Sequence, residues 1–423
     1  MGYVHIITID IALGWRLLQW PGFTVLRSLK TILPLSLCAV LNGQILADGH
    51  VHITNRVYWE GIDPWKPQPV GQWDYARARA GGVNFVIENI APYGYNTYNT
   101  TVKHAGRLIE TFHRTLEGHR DQMELALTAA DVRRIVASGK MAVMLSIEAG
   151  FDQEGDIDIL RLWYRLGVRV IQFSSQVTTA FADSSVRGEA KWSGINDKGR
   201  RLIAEMNRLG ILIDISHATE AAQRQIIAAS RAPVVASHTA LRSICSNPAN
   251  LSDDVLRALA AKGGMVGIHS AAEQIGQRYY DWSRGKPSIP VNGVTREDIL
   301  FAESPLIRSP NRDYGEYIDA LDAQQGNRWR RFYSQPWHES PEGAAVVPSI
   351  EEWTAHVAHA VAVAGPRSVA IGLDLTHARS TLKNFDAGHY PDLVEALRKR
   401  NLATPEILGE SWLRVLDSAK VSN

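Results

Sequence analysis

The sequence predicts an α/β fold, a (β/α)8 TIM-type barrel with an N-terminal extension and a long insertion between strands seven and eight. Three observations predict it. Eight short runs rich in Val and Ile are nearly continuous in apolar character, as parallel strands buried on both faces are. Segments with helical spacing stand between most of them, and alternating strand and helix builds a parallel sheet. No G-x-G-x-x-G follows the first run, so a doubly wound open sheet, the alternative, has nothing to favour it.

The runs are, in order, "QILADGHVH", "VNFVIEN", "MAVMLSIEAG", "VRVIQFSS", "GILIDISH", "APVVASH", "GGMVGIHS" and "SVAIGLDLTH". Between the fourth and fifth, "NDKGRRLIAEMNRLG" has helical spacing and stops at Gly210, a residue suited to the left-handed cap. After the sixth, Ser252 reads as an N-cap with Asp253 and Asp254 in the first turn, and Gly263 ends the helix. Near the C-terminus, Thr404 before Pro405 reads as a cap followed by proline at the first helical position. Residues from 270 to about 350 break the rhythm, being rich in Pro, Arg and aromatics. A connection that long is usually functional, and a lid is expected there. The domain reading is therefore an extension over 1–44 and a barrel over 45–423, with the insertion at about 270–350.

Composition narrows the function. The apolar fraction of 45% supports a sizeable core, and the net charge of +1 argues against nucleic acid or an anionic membrane as the main partner. A small-molecule substrate is expected, with a homodimer the one assembly left open. Two cysteines, Cys38 and Cys245, make no disulfide framework. Arg16, Arg27 and Lys30 precede "ILPLSLCAVL", a pattern somewhat like a signal peptide. That stretch is shorter than the roughly 20 apolar residues of a transmembrane helix and is interrupted by Pro34. No transmembrane span is expected. A cytoplasmic location is, with secretion or the periplasm the alternative if residues 1–44 act as a signal.

In such a barrel the active-site residues project from the C-terminal ends of the strands. There the sequence puts His50 and His52 on strand one, Glu148 on strand three, His217 on strand five, His238 on strand six and Asp374 on strand eight. One buried histidine at a strand end is ordinarily a hydrogen-bonded core residue. Six groups of metal-ligand type at one structural place point to a metal site. Residues two apart on a strand share a face, so His50 and His52 can meet one ion. The set exceeds the four ligands of one zinc and suits two ions, with Glu148 as the bridge, His50 and His52 on the first, and His217 and His238 on the second. Glu148 and Asp374 are the catalytic candidates, Asp374 as acid and base. The expected chemistry is hydrolysis of an amide, lactam, ester or lactone by metal-activated hydroxide, with zinc the expected ion and other divalent metals the alternative. Trp59, Ser175 and His377 are candidate substrate contacts. His269, at the end of strand seven, is a further pocket candidate, whereas His356 and His359 read as structural, and Ser216 and Ser237 as small strand residues.

"DGHVH", "IEAG", "GVRVIQFSSQ", "MNRLGILIDISHAT", "APVVASHTALR", "NLSDDVLRALAAKGGMVGI" and "VAIGLDL" resemble, in this order, the membrane dipeptidase (renal dipeptidase) family of the amidohydrolase superfamily. The resemblance covers roughly residues 45–270 and 350–418. It implies a (β/α)8 barrel with a binuclear zinc centre that hydrolyses dipeptides. It makes His50, Glu148, His217 and His238 the zinc ligands, with Glu148 bridging and Asp374 the acid and base. The chain resembles a divergent member. His52 stands where the family has Asp, Ser175 where a substrate-contacting His is usual, and Ala249 where an Arg can hold the dipeptide's carboxylate. Loss of a bidentate carboxylate anchor is serious for a dipeptide site. The expectation is retained hydrolytic machinery acting on something other than a standard dipeptide. The alternatives are a zinc dipeptidase with a relocated anchor, such as Arg308, Arg312, Arg330 or Arg331 of the insertion, and a non-catalytic binding protein.

Overall fold

Strands buried on both faces need helices outside and a packed interior inside, and the chain supplies both. The computed structural model describes residues 44–92, 100–148, 152, 154–174, 177–186, 189–286, 290, 293–295, 314–332, 340–375 and 381–419. The extension reading, Ser175, His377, Arg308 and Arg312 fall outside them. Among the described residues nine parallel strands form one sheet. They are β1 Ala47–Val51, β2 Phe85–Ile90, β3 Met123–Leu125, β4 Met141–Ile147, β5 Val168–Gln172, β6 Leu212–Asp214, β7 Val234–Thr239, β8 Met265–Ile268 and β9 Val369–Ile371. Their order is β1-β2-β4-β5-β6-β7-β8-β9. These eight are the runs read from the sequence. The ninth, β3, is a three-residue addition that pairs with the first half of β4, before β5 takes over that edge.

The barrel closes between its last and first strands. Asp374 N–H donates to the His50 carbonyl at 3.0 Å, and Val51 bridges Leu375. Asp48 clamps the same seam: its Oδ1 accepts the amides of His50 (3.1 Å) and Leu373 (3.0 Å), and the Tyr390 hydroxyl donates to Oδ2. Alternation along the strands sends one set of side chains inward. Ala47, Phe85, Ile87, Ala142, Met144, Val170, Leu212, Val235, Met265 and Ala370 pack there with Trp412 of the C-terminal helix Ser411–Ser418. Trp412 lies so close to β1 that a Cβ on Gly49 would fall 1.7 Å from its ring. The other set, including Val86, Val143, Ile171, Ile213 and Val266, meets the outer helices.

The capping signals hold in detail. Asp197–Leu209 ends at Gly210 with φ 78°, and Ser252 accepts from Val255 N–H at the start of Asp253–Ala261. The C-terminal helix departs from expectation. Thr404 and Pro405 lead into a π-helical turn, Glu406–Glu410, and the helix kinks at Gly409, where Ile45 packs so tightly that a Cβ would meet its Cγ2 at 2.5 Å. Within the insertion the described helices are Ala272–Ile275, Gln277–Ser283, Tyr314–Phe332 and Pro341–Ala344.

His356 is structural, as its helical spacing suggested. It is fully buried; its Nδ1 accepts Leu241 N–H at 3.1 Å and its Nε2 donates to the Ile275 carbonyl at 3.0 Å. Burial pushes its pKa down to about 4. It is neutral when folded, so its contribution is present above pH 6.5 and lost as the pH falls towards 4, by about 3 kcal/mol. We expect His356→Leu to cost about 2–4 kcal/mol at pH 7.5, because two buried backbone groups lose their partner. The deficit should shrink by pH 4.5 in urea unfolding. A deficit that is constant with pH would contradict the assignment.

Candidate metal centre

Strand parity delivers the carboxylates. Ala142, Met144 and Ser146 are successive inward positions along β4, and Glu148 follows its end in the same alternation; Ala370 is an inward position of β9, and Gly372 and Asp374 follow its end at the same spacing. The histidines need irregular backbone. The β1–β2 register shifts between Asp48 and Val51, and the β7–β8 register between Ala236 and Thr239. Such bulges re-aim side chains, and they flank His50 and His238. His217 and Asp374 have φ of 66° and 50°, left-handed values that residues with a Cβ rarely adopt and that cluster at functional sites.

The result is a convergence of buried donors at the C-terminal mouth. His50, His52, Glu148, His217, His238 and Asp374 are all at most 8% exposed. A first group is formed by His50 Nε2, His52 Nε2, Glu148 Oε2 and Asp374 Oδ1. The two imidazole nitrogens are 3.1 Å apart, Glu148 Oε2 lies 3.4 and 3.1 Å from them, and Asp374 Oδ1 lies 3.9 and 3.2 Å from them. A second group is formed by His217 Nε2, His238 Nε2 and Glu148 Oε1. The imidazole nitrogens are 3.0 Å apart, and Glu148 Oε1 is 3.2 Å from His217 and 3.9 Å from His238. Zinc bonds of about 2.0–2.1 Å in a tetrahedron place ligand atoms about 3.3 Å apart, so most of these separations are ligand-to-ligand edges. Imidazoles and carboxylates are also the donor types zinc takes. The residues fit two ions that share Glu148.

Their electrostatics fit as well. Burial alone would raise the Glu148 pKa, but hydrogen bonds to His217, His50 and His52 bring it well below the usual range. Burial, with His50 and His217 nearby, pushes His238 well down, so it is neutral and able to bind an ion. Burial opposes charge on His52, yet Asp374 and Glu148 raise its pKa to about 10. An ion held there would have to displace that proton, so its affinity would rise with pH.

Two parts of the site were not read from the sequence as working parts. The first is Asp214 with Ser216 and Ser237, a hydrogen-bonded group under the histidines. The signal was present in "LIDISH", but seryl side chains next to ligands look like mere small residues. The second is His269, weighed only as a pocket residue. Ala271 N–H donates to its Nδ1 at 2.7 Å, so Nε2 carries the proton and meets Asp374 Oδ2 at 3.1 Å. Trp59 stands apart from the donor groups. Its stretch forms the helix Thr54–Glu60, where it is buried, stacks on His104 and packs on Trp329 of the insertion. Trp329 donates to Glu60 at 2.8 Å, Arg330 donates to the Trp59 carbonyl at 2.7 Å, and Tyr58 and Arg107 bond Asp322, so the Tyr314–Phe332 helix is docked on the segment that follows β1 and on the helix Thr100–Gly118.

A family model of membrane dipeptidases, peptidase family M19, matches residues 36–423. Dipeptidase verJ of Clonostachys rogersoniana is 34% identical over 160 residues, which are 38% of this chain and 41% of that protein. Dipeptidase tcpJ of Claviceps purpurea is 31% identical over 235 residues, 52% of this chain and 55% of the relative. The chain thus spans about half the length of these curated relatives. In fold it is similar to a metallopeptidase from Rhodobacter sphaeroides, solved with a phosphinate mimic of the dipeptide L-Ala-D-Ala. The TM-score is 0.67 at 20% identity, over 89% of this chain and 99% of that one.

Proposed function

The chain belongs to the membrane dipeptidase family, and from that premise we propose that it is a binuclear metal-dependent hydrolase of an amide, lactam, ester or lactone bond. Two zinc ions per chain are the cofactors this reading assigns, with other divalent ions as the alternative. The observation that carries it is Glu148, which offers one oxygen to each of two donor groups. Ions held there would lower the pKa of a shared water to about 7 and polarise the scissile carbonyl. The chain's own residues do the rest. Asp374, with Oδ2 against His269 and Oδ1 beside His52, is the carboxylate that would take a proton and return it to the leaving group. Burial of every donor excludes bulk water and strengthens these interactions. Among the described residues no helix is long and apolar enough to cross a membrane.

The substrate we propose is not a standard dipeptide. Ser175 and Ala249 replace the two polar groups that the family pattern puts against one. Arg242 offers no substitute, since it is bonded to Glu220 Oε2 at 2.6 Å and to the carbonyls of Pro248 and Asn250. Arg330 is likewise engaged, with Trp59 and Asn327. The second reading, a dipeptidase with a relocated anchor, is favoured by the names of the relatives. A panel of dipeptides against N-acyl amides, lactams, esters and lactones, with zinc-loaded protein, separates the two. We expect dipeptides to fall below a kcat/KM of about 10⁴ M⁻¹s⁻¹. Turnover of any dipeptide above that value would overturn the substrate proposal and leave the hydrolase standing.

A further inference from the structure

We propose that the Ser237 hydroxyl, set by Asp214, is a positioning group shared by both ions, so that one side chain tunes the affinity of two metal sites. The inference rests on the binuclear reading and goes beyond it to a residue that touches no ion.

The three shortest contacts of Ser237 Oγ use its full hydrogen-bonding capacity. Asp214 Oδ2 lies 2.5 Å away, His238 Nδ1 2.8 Å and His50 Nδ1 3.1 Å, with Ser216 Oγ at 3.5 Å. A hydroxyl has one proton to give and two lone pairs to accept with. A carboxylate only accepts, and Asp214 Oδ1 already accepts Ser216 N–H (2.9 Å), Ser216 O–H (2.8 Å) and Ser237 N–H (2.9 Å). The Ser237 proton therefore goes to Asp214 Oδ2. Both lone pairs then face imidazole Nδ1 atoms, which must carry protons. With Nδ1 protonated, the neutral rings of His50 and His238 present bare Nε2 atoms to the two donor groups. One carboxylate and one hydroxyl thus fix the tautomer of a ligand in each half of the centre.

The two halves do not depend on Ser237 equally. His50 Nδ1 also meets the Asn89 side-chain amide, which is placed with Nδ2 nearest; a half-turn of that amide brings its oxygen there instead, where it accepts the same proton. Ser237 is the side-chain partner found for His238 Nδ1. Loss of the hydroxyl should weaken the ion of His217 and His238 more than that of His50 and His52. Outer partners of this kind are typically worth 10–100-fold in metal affinity.

The test is zinc binding by the full-length protein, measured as zinc per chain across a series of buffered free-zinc concentrations. Wild type should fill two sites. In Ser237→Ala, one step should move to about 100-fold higher free zinc and the other by about 10-fold or less. The metal-free variant should keep its circular dichroism spectrum. Ser237→Thr restores a hydroxyl and should recover most of both shifts, a rescue that a packing role would not produce. Wild-type affinities in Ser237→Ala, or a threonine variant as weak as the alanine one, would overturn the assignment of Ser237. A wild-type protein that binds fewer than two zinc ions would overturn the binuclear reading itself, and the proposal with it.

Discussion

Glu148→Gln is expected to lose more than about 100-fold in zinc affinity at both sites, beyond what a residue supporting a ligand costs. Its oxygens belong to different donor groups, Oε2 with His50 and His52, and Oε1 with His217. Glutamine keeps the shape but not the charge. One end becomes an NH₂, a donor that must face imidazole nitrogens and cannot bind a cation. Hydrolysis should fall with the metal. Elemental analysis after dialysis against buffered zinc checks the binding, and an assay on whichever ester or amide proves to be turned over checks the rate. Two ions retained at wild-type affinity would remove Glu148 from the bridging position.

Gly372→Ala should be among the most damaging changes outside the donor set. A Cβ there would lie 1.9 Å from the Ser237 carbonyl oxygen and 3.2 Å from Gly267 Cα. Both obstacles are backbone, so no rotamer relieves the clash, and β7 and β9 must move apart. Overpacked cores usually cost about 1–3 kcal/mol, and a contact this short with main chain should exceed 3 kcal/mol. The displacement also falls between Ser237–His238 and Asp374, so zinc binding should fail along with stability. Gly61→Ala is the control. Gly61 has φ 69° and nothing within 4 Å of a Cβ, so only the left-handed conformation opposes the change, at about 1 kcal/mol. Chemical unfolding that gave equal losses for the two variants would contradict the packing argument.

The fold was legible because both of its periodicities are written locally. Each barrel strand is a nearly continuous apolar run, and caps such as Ser252 and Gly210 mark the helix ends. The donor set was legible for a related reason: a parallel barrel gathers strand ends at one mouth, so His50, Glu148, His217, His238 and Asp374 could be listed before their distances were known. What was missed depends on long-range geometry. The bulges in β1 and β7 follow from register between strands, not from composition. Strand β3 is three residues with no pattern of its own. Ser237 draws its role from Asp214, 23 residues away, and from two rings it touches only after the barrel has closed. The packing of Trp59 was not legible either, because it is set by an insertion helix some 270 residues on, as in the bond from Arg330 to its carbonyl.

The packing of Trp412 against Gly49 sets a timetable for biosynthesis. A ribosome that adds about 5–20 residues per second leaves roughly 20–70 seconds between making β1 and making the indole that floors it. His50 and His52 are made at the start of that interval, but Asp374, their neighbour across the seam, is still unmade for most of it. The nascent chain can therefore pair β1 with β2 early, but the other edge of β1 stays open and the mouth incomplete until β9 and Asp374 are made.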